Sequence, residues 1–219
     1  MFVNIHSHKP AADLTSDTLE VYNLFHDDPL PVKGLYSTGI HPWSISKITD
    51  LDTALDNVEK KLKQQNLIFV GEIGIDRCIE TPLERQITIF EKQLALAEKY
   101  TKGVIIHSVR AYPEIISCLK NFSLPVIFHG FNANLTILGQ LLKKGCYISY
   151  CGRTLLKNPK LGKCLKETPL DKLFLETDDT GEDIRSVYHR VSEQLNIDEK
   201  KLREAVLDNL LEITLIKKA

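Results

Sequence analysis

Eight short apolar runs punctuate the chain, and several are apolar at consecutive rather than alternate positions, as in "LIFVG", "GVIIH" and "PVIFH". The runs cover residues 2–7, 19–25, 34–40, 67–75, 104–107, 126–131, 147–150 and 173–177. Consecutive apolarity means that both faces of a strand are covered. That suits a parallel sheet and argues against an antiparallel sheet with one wet face. Longer amphipathic stretches lie between the runs. Eight strands alternating with helices, in 219 residues, predict an α/β fold, the (β/α)8 TIM barrel. One connection is deficient. Only residues 9–18 separate the first two runs, too few for a normal crossover helix. The barrel is therefore expected to be slightly degenerate, with a short or missing first crossover helix. A doubly wound open sheet is the alternative, but no glycine-rich phosphate loop follows the first run. No linker rich in proline, glycine or serine interrupts the chain, so residues 1–219 are expected to form a single domain.

The helices have readable ends. Thr81-Pro82-Leu83-Glu84 offers a capping box with proline at the first helical position. Ile87, Phe90, Leu94 and Ala97 then repeat at helical spacing. Lys143-Lys144-Gly145 reads as a helix end, with cations near the negative pole of the dipole and glycine to cap. Asp198 is placed to cap a last helix whose stripe of Leu202, Val206, Leu210 and Ile213 faces a core.

Charge and cysteine content narrow the function class. The net charge of −1 leaves no global field to draw the chain to nucleic acid or to an anionic membrane. The paired lysines at 60–61, 143–144, 200–201 and 217–218 read as solvated helix faces or tail. Five cysteines, an odd number without any Cys-x-x-Cys, argue against a disulfide framework or a thiolate zinc site. They favour a reducing compartment. With no leader pattern and no apolar stretch of ~18 residues, a cytoplasmic protein without a membrane partner is expected.

Chemistry enters where polar residues end the apolar runs. His6 and His8 sit two apart, so on a strand they share a face. Glu72 interrupts "FVGEIGID", His107 ends "VIIHS", His129 ends "VIFHG" and Asp178 ends "FLETD". Each residue has an ordinary reading. His107 alone would be a hydrogen-bonded core histidine, Glu72 a carboxylate paired with Arg77 or Arg110, and Asp178 a helix N-cap. The conjunction is harder to explain that way. Strand C-termini form the catalytic face of a barrel, and four imidazoles with two carboxylates there are costly to desolvate without a cation. Two divalent metal ions resolve that cost and leave positions open for water and substrate. Mixed imidazole and carboxylate donors suit zinc, manganese or iron better than magnesium.

The stretches "HSH", "GIHPW", "VGEIGID", "IIHS", "FHGF" and "ETD", in that order, resemble those of the TatD family of metal-dependent hydrolases, one branch of the amidohydrolase-like barrels. The resemblance spans His6 to Asp178. It implies that His6, His8, Glu72 and Asp178 hold one ion, and that Glu72, His107 and His129 hold the second, with Glu72 bridging. It also implies hydrolysis of phosphodiesters, typically in DNA and often as a 3′-exonuclease. The chain departs from the family pattern at four places. Asn4 stands where an acidic residue is usual. Val109 followed by Arg110 replaces an arginine two residues after the fifth-strand histidine. Gly130-Phe131-Asn132 replaces Cys-Phe-Ser, and Asp179-Thr180-Gly181 replaces a small residue and proline. None removes a metal ligand.

On this reading Glu72 and Asp178 are the catalytic carboxylates, Asp178 orienting the attacking water and accepting its proton. His41, Arg110 and Arg153 are the substrate-binding candidates, with Lys9 and Arg77 as further cations near strand ends. For the cations a surface salt bridge competes with substrate contact. Trp43 either stacks on a base or packs its loop onto the barrel rim. His26 and His189 read as solvated. The expected substrates are DNA ends or a small phosphoester, and the chain is expected to be a monomer or weak oligomer. Two other readings stay open: hydrolysis of a small ester, lactone or amide at the same two-metal site, and a metal-binding scaffold with little catalysis.

Overall fold

A computed structural model of the chain describes residues 1–8, 17–29 and 33–215. Its strands are β1 (Phe2–Ser7), β2 (Thr18–Phe25), β3 (Leu35–Gly39), β4 (Leu67–Asp76), β5 (Gly103–Val109), β6 (Val126–Phe128), β7 (Tyr147–Cys151) and β8 (Leu173–Glu176). They form one eight-stranded sheet in sequential order from β1 to β8. The pairs β1–β2, β3–β4, β4–β5 and β7–β8 are parallel, and a parallel bridge joins Ser7 to Asp178 just beyond β8. The helices are α1 (Leu51–Leu62), α2 (Leu83–Lys99), α3 (Tyr112–Cys118), α4 (Leu135–Lys143), α5 (Gly152–Lys157), α6 (Leu161–Glu167), α7 (Ile184–Leu195) and α8 (Glu199–Leu215). Parallel strands in chain order with helices between them are the (β/α)8 arrangement that consecutive apolarity predicts. The proposed gap in the first crossover falls on residues 9–16, outside the described residues, as do Lys9 and the lysines at 217–218.

The chain divides into two compact units, residues 1–22 with 128–219, and residues 23–127. In the first, Val3, Ile5, Phe128, Phe131, Ile148, Tyr150, Phe174 and Leu175 are fully buried. In the second the same holds for Phe69, Val70, Ile73, Ile75 and the run Val104, Ile105 and Ile106. Helix signals hold in most places. Asp198 Oδ1 accepts from the amides of Lys200 and Lys201 at 2.7 and 3.2 Å, and Leu202, Val206, Leu210 and Ile213 are buried. Gly145 lies at φ +78° after Lys144, a conformation that costs glycine little.

Two expectations are corrected. The capping box at Thr81–Glu84 does not form, because Pro82 itself takes the cap position and offers no side-chain acceptor. Gln86 secures the helix start in another way. Its amide donates to the carbonyls of Thr81 and Asp76 at 2.8 and 3.0 Å, and its oxygen accepts the Asp76 amide at 2.8 Å. This ties the start of α2 to the end of β4. Lys61 is not on a solvated face. It is buried, and its ammonium donates to the carbonyls of Phe25 and His26 at 2.6 and 2.8 Å, which anchors the loop after β2.

Strand β1 carries His6 and leads directly into His8, and its position is set by polar contacts as well as packing. The buried hydroxyl of Tyr188, on α7, accepts from the Val3 amide at 3.1 Å and donates to the Val3 carbonyl at 3.0 Å. Tyr188→Phe leaves both backbone groups buried and unmatched. We expect it to destabilise the fold by about 1–3 kcal/mol, read from urea unfolding. A change below about 0.5 kcal/mol would show that the strand is held by packing alone.

Candidate metal centre

In the first unit the strand alternation brings the two histidines of "HSH" together. His6 Nε2 lies 3.2 Å from His8 Nε2, and Asp178 Oδ1 lies 3.8 and 3.5 Å from them. A tetrahedral ion with arms of about 2 Å sets its ligand atoms roughly 3.3 Å apart. These three donors therefore have the spacing and chemistry of one face of such a site. The backbone of Asp178 is at φ +54°, uncommon outside glycine but tolerated by aspartate. It is pinned there by β1, for its amide donates to the His6 carbonyl at 3.1 Å and its carbonyl accepts the His8 amide at 3.2 Å. Asp178 is therefore not a helix N-cap; Asp183 caps α7.

His129 follows β6, with its ring 4.4 Å from that of His6. Its Nδ1 faces Glu176 Oε1 at 3.4 Å. A ring that donates from Nδ1 to a carboxylate presents the lone pair of Nε2, the usual state of a metal-bound histidine. Glu176 is fully buried and also accepts from the Gly130 amide at 2.7 Å and from the Ser149 hydroxyl. Gly130 at φ +52° turns its N–H toward that carboxylate. Burial opposes the charge on Glu176, but the His129 hydrogen bond, the nearby His129 and His6 rings and Ser149 together hold its carboxyl below the usual range. Sequence reasoning missed Glu176, although it stands in the quoted "ETD". Its position on a buried strand was the available signal.

In the second unit Glu72 is the hub. Its Oε1 meets His107 Nδ1 at 2.7 Å and His41 Nε2 at 3.1 Å, and all three residues are buried. Arg77, one of the cations expected to pair with Glu72, is instead ion-paired with Glu114. The Glu72 amide donates to Asn23 Oδ1 at 2.6 Å, an oxygen that also accepts from the Ser37 hydroxyl at 3.1 Å, so three strands are joined there. Gly74 is required beside this hub, since a Cβ on it would lie 1.9 Å from the His107 carbonyl oxygen.

The tautomer of His41 follows from its neighbour. The Trp43 amide donates to His41 Nδ1 at 3.1 Å, so that nitrogen is an acceptor and the neutral ring carries its proton on Nε2. His41 thus presents a donor to Glu72. Although its Nε2 lies close enough to Glu72 and His107 for a metal triad, the capping bond suits it to hydrogen bonding instead. Asp76 completes the hub. Its Oδ2 accepts from the Trp43 indole N–H at 2.7 Å and lies 3.4 Å from His107 Nε2, and its Oδ1 accepts the Cys78 amide at 2.8 Å. Sequence reasoning missed Asp76 too.

The remaining candidates are placed more simply. Arg110 is exposed at the end of β5, at φ +52°. Arg153 is exposed at the start of α5, 3.5 Å from Asp179. Trp43 is 60% exposed, and the covered part of its ring meets the rings of His41 and His107 edge-on. His189 is exposed between Glu193 and Glu199, as expected, whereas His26 is not solvated but largely buried, 3.8 Å from Asp27. Asn4, at the family's acidic position, bonds Glu20 at 3.0 Å, the Thr177 hydroxyl at 2.8 Å and the Thr177 amide at 3.0 Å, joining β1 to both neighbours.

Comparison with known proteins gives consistent matches. A family model described as TatD related DNase matches residues 6–214. The uncharacterized metal-dependent hydrolase YjjV of Escherichia coli K12 is 32% identical over 146 residues, covering 64% of this chain and 56% of that protein. A TATDN1 homolog of Enterocytozoon bieneusi, named provisionally as a deoxyribonuclease, is 28% identical over 185 residues, covering 80% of this chain and 66% of that protein. The chain spans little more than half the length of the bacterial relatives it matches. The crystal structure of YjjV, a TatD homolog, matches with a TM-score of 0.81 at 22% identity, over 98% of each chain, and so shares the fold. Among the described residues no helix is long and apolar enough to cross a membrane.

Asp76 makes the hub sensitive to acid. Burial opposes its charge, but the hydrogen bonds from His107, Trp43 and the Cys78 amide outweigh burial and hold the carboxyl down at about 2. A depressed carboxyl contributes stability above its unfolded value near ~3.9 and loses it as pH falls toward the folded value. Asp76→Asn in metal-free protein should therefore be less stable than the parent at pH 6, with the gap narrowing between about pH 4 and pH 2. Urea unfolding across that range checks it, and a gap independent of pH would refute it.

Proposed function

Because the chain belongs to the TatD-related DNase family, we propose that it is a divalent-metal-dependent hydrolase of phosphodiester bonds, working from the 3′ end of single-stranded DNA. The observation that carries the reading is the spacing of His6, His8 and Asp178, three donors set as the ligands of one ion. We take residues 1–219 as one hydrolase domain. His6, His8, Glu72 and Asp178 would hold one metal, and Glu72, His107 and His129 the second, with Glu72 shared. The donor set suits zinc, manganese or iron. Such ions, when bound, polarise a phosphoryl oxygen and lower the pKa of water.

The chain's own residues supply the rest. Asp178 is partly exposed, with about a third of its side chain accessible, so its carboxylate can meet solvent, orient the attacking water and take its proton. Glu176 holds His129 by Nδ1, and Asp76 supports His107 by Nε2. His41 would turn its Nε2–H from Glu72 to a phosphoryl oxygen. Arg110 and Arg153 are the cations for the flanking backbone, Arg153 after release from Asp179. That ion pair and the net charge of −1 favour a second reading, a small phosphoester or ester in place of a polymer. A strand shortened from one end supports DNA ends. Turnover of small esters with labelled single strands intact supports the second reading. Efficient nicking of closed circular duplex with linear single strands untouched contradicts the end-directed reading.

The two carboxylates should separate by substitution. Glu72→Gln should lose metal from at least one position, and activity with it. Asp178→Asn keeps a weak oxygen donor but no base, so it should lose activity by about 10²–10⁴ while retaining more metal than Glu72→Gln. Elemental analysis and turnover on the same preparations decide. Near-normal turnover of Asp178→Asn, or full metal content and activity of Glu72→Gln, would overturn the roles.

A further inference from the structure

We propose that the indole of Trp43 is a stacking subsite for the base of the nucleotide being released, an assignment that rests on the phosphodiesterase reading. Trp43 is the one aromatic ring among the exposed large apolar side chains of the described residues, at 60% exposure. An indole left in water is a loss of burial free energy that packing a loop would recover. Here the ring is held without being covered. Its N–H donates to Asp76 Oδ2 at 2.7 Å, and its own amide donates to His41 Nδ1 at 3.1 Å. Its plane stands near perpendicular to the rings of His41 (81°) and His107 (77°), at centroid distances of 4.9 and 5.8 Å. A fixed, wet aromatic surface loses little freedom when a planar group covers it, which is the preorganisation a binding site needs.

The place of the ring selects the ligand class. Asp76 Oδ2 receives both the indole and His107, and His41 links the Trp43 amide to Glu72. A planar group on Trp43 therefore sits beside the residues assigned to the scissile phosphate. A nucleobase is the planar group joined to a phosphodiester at that range. Stacking on one face reads no base edge, so all four bases should be accepted.

Trp43 is the chain's single tryptophan, so fluorescence excited beyond the tyrosine band reports this residue alone. Metal-loaded protein is titrated with dTMP and, separately, with deoxyribose 5-phosphate. We expect saturable quenching by the nucleotide and little by the abasic phosphate. Equal quenching by both, or none by dTMP at millimolar concentration, overturns the proposal. In turnover, Trp43→Ala should raise KM for single strands roughly 10- to 100-fold, the worth of one base–aromatic stack. It should have little effect on strands ending in an abasic residue. Trp43→Phe keeps a face and loses the Asp76 bond, so it should recover most of the KM. A folded Trp43→Ala with unchanged KM refutes the subsite. If wild-type protein cuts no oligonucleotide with any metal, the phosphodiesterase reading fails, and the fluorescence titration still decides the stacking separately.

Discussion

A buried carboxylate must be matched, and the structure is arranged around two of them. Glu72, inside β4, is 3% exposed, and Glu176, at the end of β8, is fully buried. Imidazoles bond both carboxylates, and Glu176 also accepts from a main-chain amide and a hydroxyl. Lysine or arginine would neutralise the charge permanently. Imidazole can bond a carboxylate on one nitrogen and present the other to an ion. The histidines at 107 and 129 therefore keep carboxylates buried without removing the capacity of the site to bind metal.

The precision of each half depends on polar contacts behind the ligands. Asn4 is instructive. At a position where the family places an acid, it uses its carbonyl and amide to bond Thr177 and Glu20, so that β1 is tied to both neighbouring strands. A carboxylate there could accept but not donate, and would bring another negative charge next to Glu20. The substitution thus preserves strand placement by different chemistry. Asn23 does similar work under Glu72, and Gln86 under Asp76.

Much of the fold was legible because apolar runs and parallel strands express the same physics. Each of the eight runs is a strand, with ends shifted by only a few residues. The helix ends at Lys144-Gly145 and Asp198 were legible because caps are local. The capping box at Thr81 was misread because proline takes the cap position and offers no side-chain acceptor, while the glutamine four residues on ties the helix start to β4 through bonds distant from any cap pattern. Lys61 was misread because its partners, the carbonyls of Phe25 and His26, are distant in sequence.

The candidate site divides along the same line. Ligand chemistry at strand ends is a one-dimensional pattern, so the sequence alone determined the histidines at 6, 8, 107 and 129 and the carboxylates Glu72 and Asp178 as the residues to watch. It could not determine which nitrogen of each ring faces what. That depends on groups brought close by folding: Trp43 and Glu72 for His41, Glu176 for His129, Asp76 for His107. Nor could it decide whether Trp43 is packed or exposed, because burial is a property of what the neighbouring elements leave uncovered. Apolar periodicity and residue chemistry are written along the chain, whereas tautomer, exposure and hydrogen-bond partners exist only once distant segments share the same space.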